Sequence, residues 1–221
     1  MTQTSAPQRR PPPSSGAKSR APRRVAATAG FTALRWLLFL LCLLPLAALV
    51  YAALQGDLGA NPIETLERET GEWALRFLLL TLTATPLCKL LGRGWPRRLR
   101  RMLGLYAGFY ALLHLLCWLW LDQRFDWAAI GGDIAERPYV LAGALAALIM
   151  LSLAATSPKA AVRRLGRRWQ PLHRLIYPMA TLVMLHYVWL TKADYLEPAV
   201  YLGILLLLFC ARLADLLAGR R

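Results

Sequence analysis

The chain has 221 residues, 57% of them hydrophobic, and a formal net charge of +15. Its apolar runs are too long and too numerous for a soluble domain, because a run of about 20 apolar residues spans a bilayer. So positive a charge would point to nucleic acid in a soluble protein, but its distribution along this chain gives it another origin.

Residues 1–33 are rich in Pro, Ser, Ala and Arg, with Pro11, Pro12 and Pro13 in a row. Such a segment cannot build a core and is expected to be a disordered basic tail. Arg23 and Arg24 ahead of an apolar run suggest a twin-arginine signal. The residues VAATAGF that follow fit that pattern poorly, which favours an uncleaved first helix. Six apolar spans come next, near 34–54, 72–91, 102–121, 138–156, 171–190 and 198–217.

The connections alternate in charge. The tail through Arg35 is basic and carries no acid. The second connection holds Lys89, Arg93, Arg97, Arg98, Arg100 and Arg101, and the fourth holds Lys159, Arg163, Arg164, Arg167 and Arg168. The acids gather in the first, third and fifth: Asp57, Glu64, Glu67, Glu69, Glu72, Asp122, Asp126, Asp133, Glu136, Asp194 and Glu197. Basic loops stay in the cytoplasm. The sequence therefore predicts an all-α membrane protein. It is a six-transmembrane-helix bundle over 34–217 with a short tail at 218–221 and both termini cytoplasmic. The net charge is then mostly topology, and a nucleic-acid partner is not expected. The arginines remain available to anionic lipid.

Four cysteines, Cys42, Cys88, Cys117 and Cys210, fall in or at the ends of these spans. No two make a CxxC pair, and no CxxCH offers covalent haem attachment. They read as small apolar filler. No Walker motif, GxGxxG or Ser/His/Asp set is present, and no internal repeat is visible.

The three histidines carry the chemistry. His114 lies in the third span and His186 in the fifth, each eight residues before the next acid, Asp122 and Asp194. Both spans run from a basic connection to an acidic one, so both imidazoles lie about 12 Å below the same outer surface. Ionisable groups in lipid are costly and usually mark a site. Two imidazoles at one depth on parallel helices suit a shared metal, with haem iron the obvious candidate. Their plainer reading is interhelical hydrogen bonding.

His173 lies near the inner surface, about 20 Å of helix rise before His186. One imidazole near each face suits two stacked redox centres. Ideal geometry leaves the two about 140° apart around one helix, and Pro178 between them can kink it. A partner for His173 on the third span would fall at Arg100, Arg101 or Met102. Of these only Met102 could ligate iron, and its plainer reading is ordinary core.

Other residues are weaker candidates. Tyr106 and Tyr110 share the His114 face and could line a haem edge or simply fill the core. Arg174 could pair with a haem propionate or anchor the inner boundary. Gly104 and Gly108 form a GxxxG suited to close helix packing, and equally able to make room for a porphyrin. Thr81, Thr83 and Thr85 precede Pro86 and are expected to satisfy backbone groups that the proline frees.

The stretches TLTATPLCKLL, RRMLGLYAGFYALLH, ERPYVLAG, TSPKAAVRRLGRRWQPLHRLIYP and LHYVWLTKADYLEP cover most of residues 72–198. Together they resemble the MsrQ (YedZ) family within the ferric-reductase-like transmembrane group. The resemblance implies a haem b protein of the bacterial inner membrane, with His114, His173 and His186 as the family's histidines and one or two haems. It implies electron transfer to a periplasmic molybdenum-containing methionine sulfoxide reductase. Electrons would come from the quinone pool or a cytoplasmic flavin reductase, and FMN is associated with some members. The chain would be the electron-transfer subunit, not the catalytic one. Two rival readings are a cytochrome b subunit of another periplasmic oxidoreductase and a non-redox transporter or assembly factor.

Overall fold

The computed structural model describes residues 21–191 and 194–219, with side chains from residue 32 onward. Residues 1–20 of the expected tail lie outside the described residues. The chain divides into two units, Met1–Leu38 and Phe39–Arg221. The described part of the first is helical from Ala21, so the first helix begins well before residue 34.

The described residues form helices only. They are α1 (Ala21–Gln55), α2 (Pro62–Leu90), α3 (Trp95–Leu116), α4 (Trp127–Glu136), α5 (Pro138–Ala155), α6 (Lys159–Leu165), α7 (Trp169–His173), α8 (Ile176–Leu190) and α9 (Leu196–Ala218). Segments within α1, α2, α5 and α9 are long and apolar enough to cross a membrane, as is α3 continued through a π-helical turn at Cys117–Asp122. The apolar α8 is shorter.

Three boundaries differ from the sequence reading, each for a local reason. Asn61 caps α2 and Pro62 opens it, a favoured pairing at a helix start. Glu64, Glu67, Glu69 and Glu72 therefore stand on α2, not in a loop. Residues of the third connection form α4, where the Asp126 side chain accepts from the amides of Ala128 and Ala129. The fifth span does not begin at 171, because the chain turns at Arg174 and Leu175 between α7 and α8. Pro178 thus stands in the first turn of α8, where a missing N–H costs little. It does not kink a continuous helix. The Arg174 carbonyl accepts from Tyr177 N at 3.2 Å instead.

Within the second unit, the principal helix pairs are α2 with α3 and α5 with α8. Leu75, Phe77, Leu78 and Leu82 of α2 meet Tyr106, Ala107 and Tyr110 of α3. Ala146, Met150 and Leu153 of α5 meet Met179, Ala180 and Met184 of α8 in the same core. The outward faces are apolar too: Leu54 is 81% exposed, Leu207 70% and Trp120 64%. Apolar residues inside and outside are what a bundle surrounded by lipid requires.

Charged side chains pin α9 to α2 at both ends. At one end Arg76 bonds Glu72 at 2.6 Å, Tyr201 Oη at 2.8 Å and Glu197 at 3.5 Å. At the other, Lys89 pairs with Asp215. The order of these contacts makes α2 and α9 run in the same direction. Thr81 and Thr83 donate to Phe77 O and Leu79 O, each at 2.8 Å. The carbonyl that Pro86 deprives of its usual partner belongs to Leu82, so these two hydroxyls do not serve it.

Candidate functional site

His114 stands in the last turn of α3, just before the π-helical turn. Such turns inside helices are frequent at functional sites. His186 stands on α8. The fold brings the two rings to 6.2 Å between centroids, with their planes at 72°. Each ring is held from behind by a backbone carbonyl. His114 Nδ1 lies 2.9 Å from Glu67 O on α2, and His186 Nδ1 lies 2.7 Å from Tyr139 O on α5.

A carbonyl can only accept, so each Nδ1 carries the proton and donates. That leaves Nε2 of each neutral ring with its electron pair, the tautomer a metal ligand needs. Metal-bound histidines nearly always anchor their other nitrogen in this way. An imidazole nitrogen binds a metal at about 2 Å, so two ligands on opposite sides of one ion hold their nitrogens about 4 Å apart. With each centroid set back behind its nitrogen, a separation of 6.2 Å fits a single ion between the rings. Among the described residues no three His, Cys, Asp or Glu side chains gather into a metal cluster. Two facing imidazoles without further protein ligands would suit a metal whose other positions a macrocycle fills, as in haem.

His173 is placed differently. It ends α7, stacked on Trp169 with centroids 4.2 Å apart, and its Nε2 lies 3.1 Å from Thr156 Oγ1. That hydroxyl donates to Ser152 O at 2.7 Å, so it accepts from His173, whose proton sits on Nε2. Trp169 Nε1 donates to Thr156 O at 3.0 Å and closes the cluster. Burial lowers the affinity of His173 for a second proton, and the nearby Arg100 lowers it further. The third imidazole thus carries its proton on the opposite nitrogen, and it is not brought to the other two. Arg100, early in α3, lies close enough to His173, just ahead of α8, to act on its charge, and His114, late in α3, faces His186, late in α8. The two helices run in the same direction.

Arg174 is exposed in the turn before α8. Tyr110 is 1% exposed and stacks on Phe77 at 5.3 Å. Its hydroxyl donates to Cys42 O at 2.9 Å and accepts from Leu46 N at 3.1 Å. Cys42 and Leu46 are regular i, i+4 partners flanking Pro45, so Tyr110 bridges the α1 backbone where the proline disturbs it. Tyr106 likewise donates to Phe39 O at 2.8 Å. Both tyrosines fasten the second unit's stretch of α1 to α3. Sequence reasoning missed Glu67, Tyr139, Thr156 and Trp169. Backbone carbonyls leave no residue-type signal, and only the matching 47-residue separations of the first two from their histidines could have pointed to them.

The family described as ferric reductase like transmembrane component matches residues 70–184. Three relatives carry the name protein-methionine-sulfoxide reductase heme-binding subunit MsrQ. That of Rhodospirillum rubrum is 51% identical over 184 residues, covering 83% of this chain and 88% of the relative. That of Azospira oryzae is 50% identical over 186 residues, covering 83% and 80%. That of Xanthomonas campestris pv. campestris is 51% identical over 164 residues, covering 74% and 75%. No solved structure matches the chain.

Proposed function

This chain belongs to the MsrQ family of ferric-reductase-like transmembrane proteins, and from that premise we propose that it is the haem-binding, electron-transferring membrane subunit of a methionine sulfoxide reductase system. The observation that carries the proposal is the facing pair His114 and His186, each with Nδ1 tied to a carbonyl and Nε2 left to bind metal. Haem, when bound, supplies the one-electron chemistry. The protein's part is to fix two ligands and surround them with an apolar bundle that excludes water. We read α8 as a sixth crossing, since its 15 residues continue from the inner segment α7. His173, held by Thr156 and Trp169, is proposed to serve a second cofactor at the inner side, with Arg174 beside it.

The printed name of the relatives joins haem binding to methionine sulfoxide reductase, and the finer reading follows from the resemblance above. Electrons enter from the quinone pool or a cytoplasmic flavin reductase and leave to a periplasmic molybdenum-containing enzyme. The bundle sits in the bacterial inner membrane, its exposed apolar faces against lipid. The rival of a non-redox transporter accounts for the interhelical hydrogen bond that each ring makes, but not for the two rings facing each other at 6.2 Å.

Purified from haem-replete cells, the protein should be red. Acidified acetone should extract haem b intact, since no CxxCH is present to bind it covalently. A colourless preparation that takes up no haem on reconstitution would end the redox reading. Reporter fusions test the orientation. A fusion after Arg221 should be active only in the cytoplasm, and one within 122–137 only in the periplasm. The reverse pattern would invert the direction of electron flow.

A further inference from the structure

We propose that Gly71 and Gly143 are positioning residues that let each ligand imidazole reach its backbone carbonyl, and so set the tautomer and strength of both ligands. This inference rests on the haem reading above, and its test separates the two.

The two glycines occupy equivalent places. Gly71 follows Glu67 by one helical turn on α2, and Gly143 follows Tyr139 by one turn on α5. In a helix the Cα–Cβ bond tilts toward the N-terminus, so a side chain covers the turn before its own Cα. A Cβ at either position would therefore stand over the carbonyl that the histidine uses. At Gly71 it would lie 3.1 Å from His114 Nδ1 and 3.2 Å from Cε1. At Gly143 it would lie 2.8 Å from His186 Nδ1 and 2.9 Å from Cε1. Real Cβ atoms essentially never come under 3.0 Å. Neither ring can retreat without lengthening the hydrogen bond that fixes its tautomer. Glycine is a poor helix former, and these two stand inside helices where only close approach of a neighbour gives them a reason.

The device occurs twice with one spacing, since each histidine lies 47 residues after the residue whose carbonyl it bonds. Other helical glycines lack it. Gly131, Gly132 and Gly203 would meet nothing. Gly108 would meet the Ala154 side chain at 3.1 Å, a packing contact as tight as that at Gly71 but with no histidine in it. It supplies the control.

The experiment compares haem-loaded wild type with Gly143→Ala, Gly71→Ala and Gly108→Ala. Carbon monoxide is added to the dithionite-reduced proteins, and haem retention is measured by dilution. Wild type, with both axial positions filled, should give no carbon monoxide spectrum. Gly143→Ala and Gly71→Ala should each give one, the former more strongly, with haem retention weakened about 10-fold or more, as when other partners of metal-bound histidines are lost. Gly108→Ala should match wild type. Spectra insensitive to carbon monoxide in both Gly143→Ala and Gly71→Ala would overturn the inference, as would the same change in Gly108→Ala. Should Gly143→Ala fail to accumulate, the less crowded Gly71→Ala decides alone. Wild type without haem would instead overturn the haem reading itself, and His114→Ala with an unaltered haem spectrum would overturn the ligand pairing on which the inference rests.

Discussion

His114→Ala and His186→Ala should each abolish one and the same haem. Their rings face each other at 6.2 Å, so either substitution strips a ligand from the same metal position. The remaining imidazole alone does not hold the group, and haem retention should fall by more than about 100-fold, beyond the loss typical of outer partners. The double variant should be no worse than either single one, because residues acting as a unit are not additive. His173→Ala should leave this haem's absorbance in place, since its ring is bound to Thr156 and Trp169. Visible spectra of the four purified variants, normalised to protein, check this. Full and unshifted spectra in the first two would show that the pairing is wrong.

The second large effect concerns the partner. Dithionite-reduced protein should be reoxidised rapidly when a periplasmic methionine sulfoxide reductase and methionine sulfoxide are supplied together, and slowly when either is absent. Each sulfoxide takes two electrons and two protons to give the thioether and water, so two haem oxidations accompany each turnover. The imidazole pair lies toward the end of the bundle that the acidic segments mark, with His114 against the Glu67 carbonyl and His186 four residues before the end of α8, within reach of a docked enzyme. Stopped-flow absorbance follows the reaction, and its rate should rise with partner concentration and then saturate. No acceleration over buffer would keep the cytochrome and remove the partner.

Much of this arrangement was legible in the residues. The alternation of Arg-rich and acidic segments predicts, without any contact information, that the third and fifth spans run in parallel, as α3 and α8 do. The matched distances of His114 and His186 from their following acids place both rings at one depth, where the fold brings them together. What escaped has physical reasons. The acidic stretch from Glu64 to Glu72 reads as a loop by charge, but Asn61 and Pro62 start α2 before it. A proline between two histidines reads as a kink, whereas the turn at Arg174 and Leu175 makes Pro178 part of a helix start. Tyr110 shares a helix face with His114, yet its hydroxyl is spent on the α1 backbone beside Pro45. No spacing rule on one helix reveals a partner on another.

The repeated carbonyl and glycine arrangement is the clearest such case. Residue types show little of this repeat, because at the 72-residue offset that matches Gly71 with Gly143 and His114 with His186 few other positions coincide, Pro86 with Pro158 and Gly94 with Gly166 among them, and the acceptors at Glu67 and Tyr139 act through backbone atoms. The likeness between the hairpin of α2 and α3 and the pair α5 and α8 is therefore geometric.

Electron paramagnetic resonance of the oxidised wild-type protein tests most directly whether His114 and His186 hold one iron. Two imidazoles with planes steeply inclined, here by 72°, give low-spin ferric haem a strongly anisotropic signal with one large g value. That signal should be present in wild type and in His173→Ala, and absent from His114→Ala and His186→Ala. A high-spin ferric signal in fully haem-loaded His173→Ala, where no inner haem contributes, would mean that one of the two histidines does not bind the iron, and would contradict the pairing.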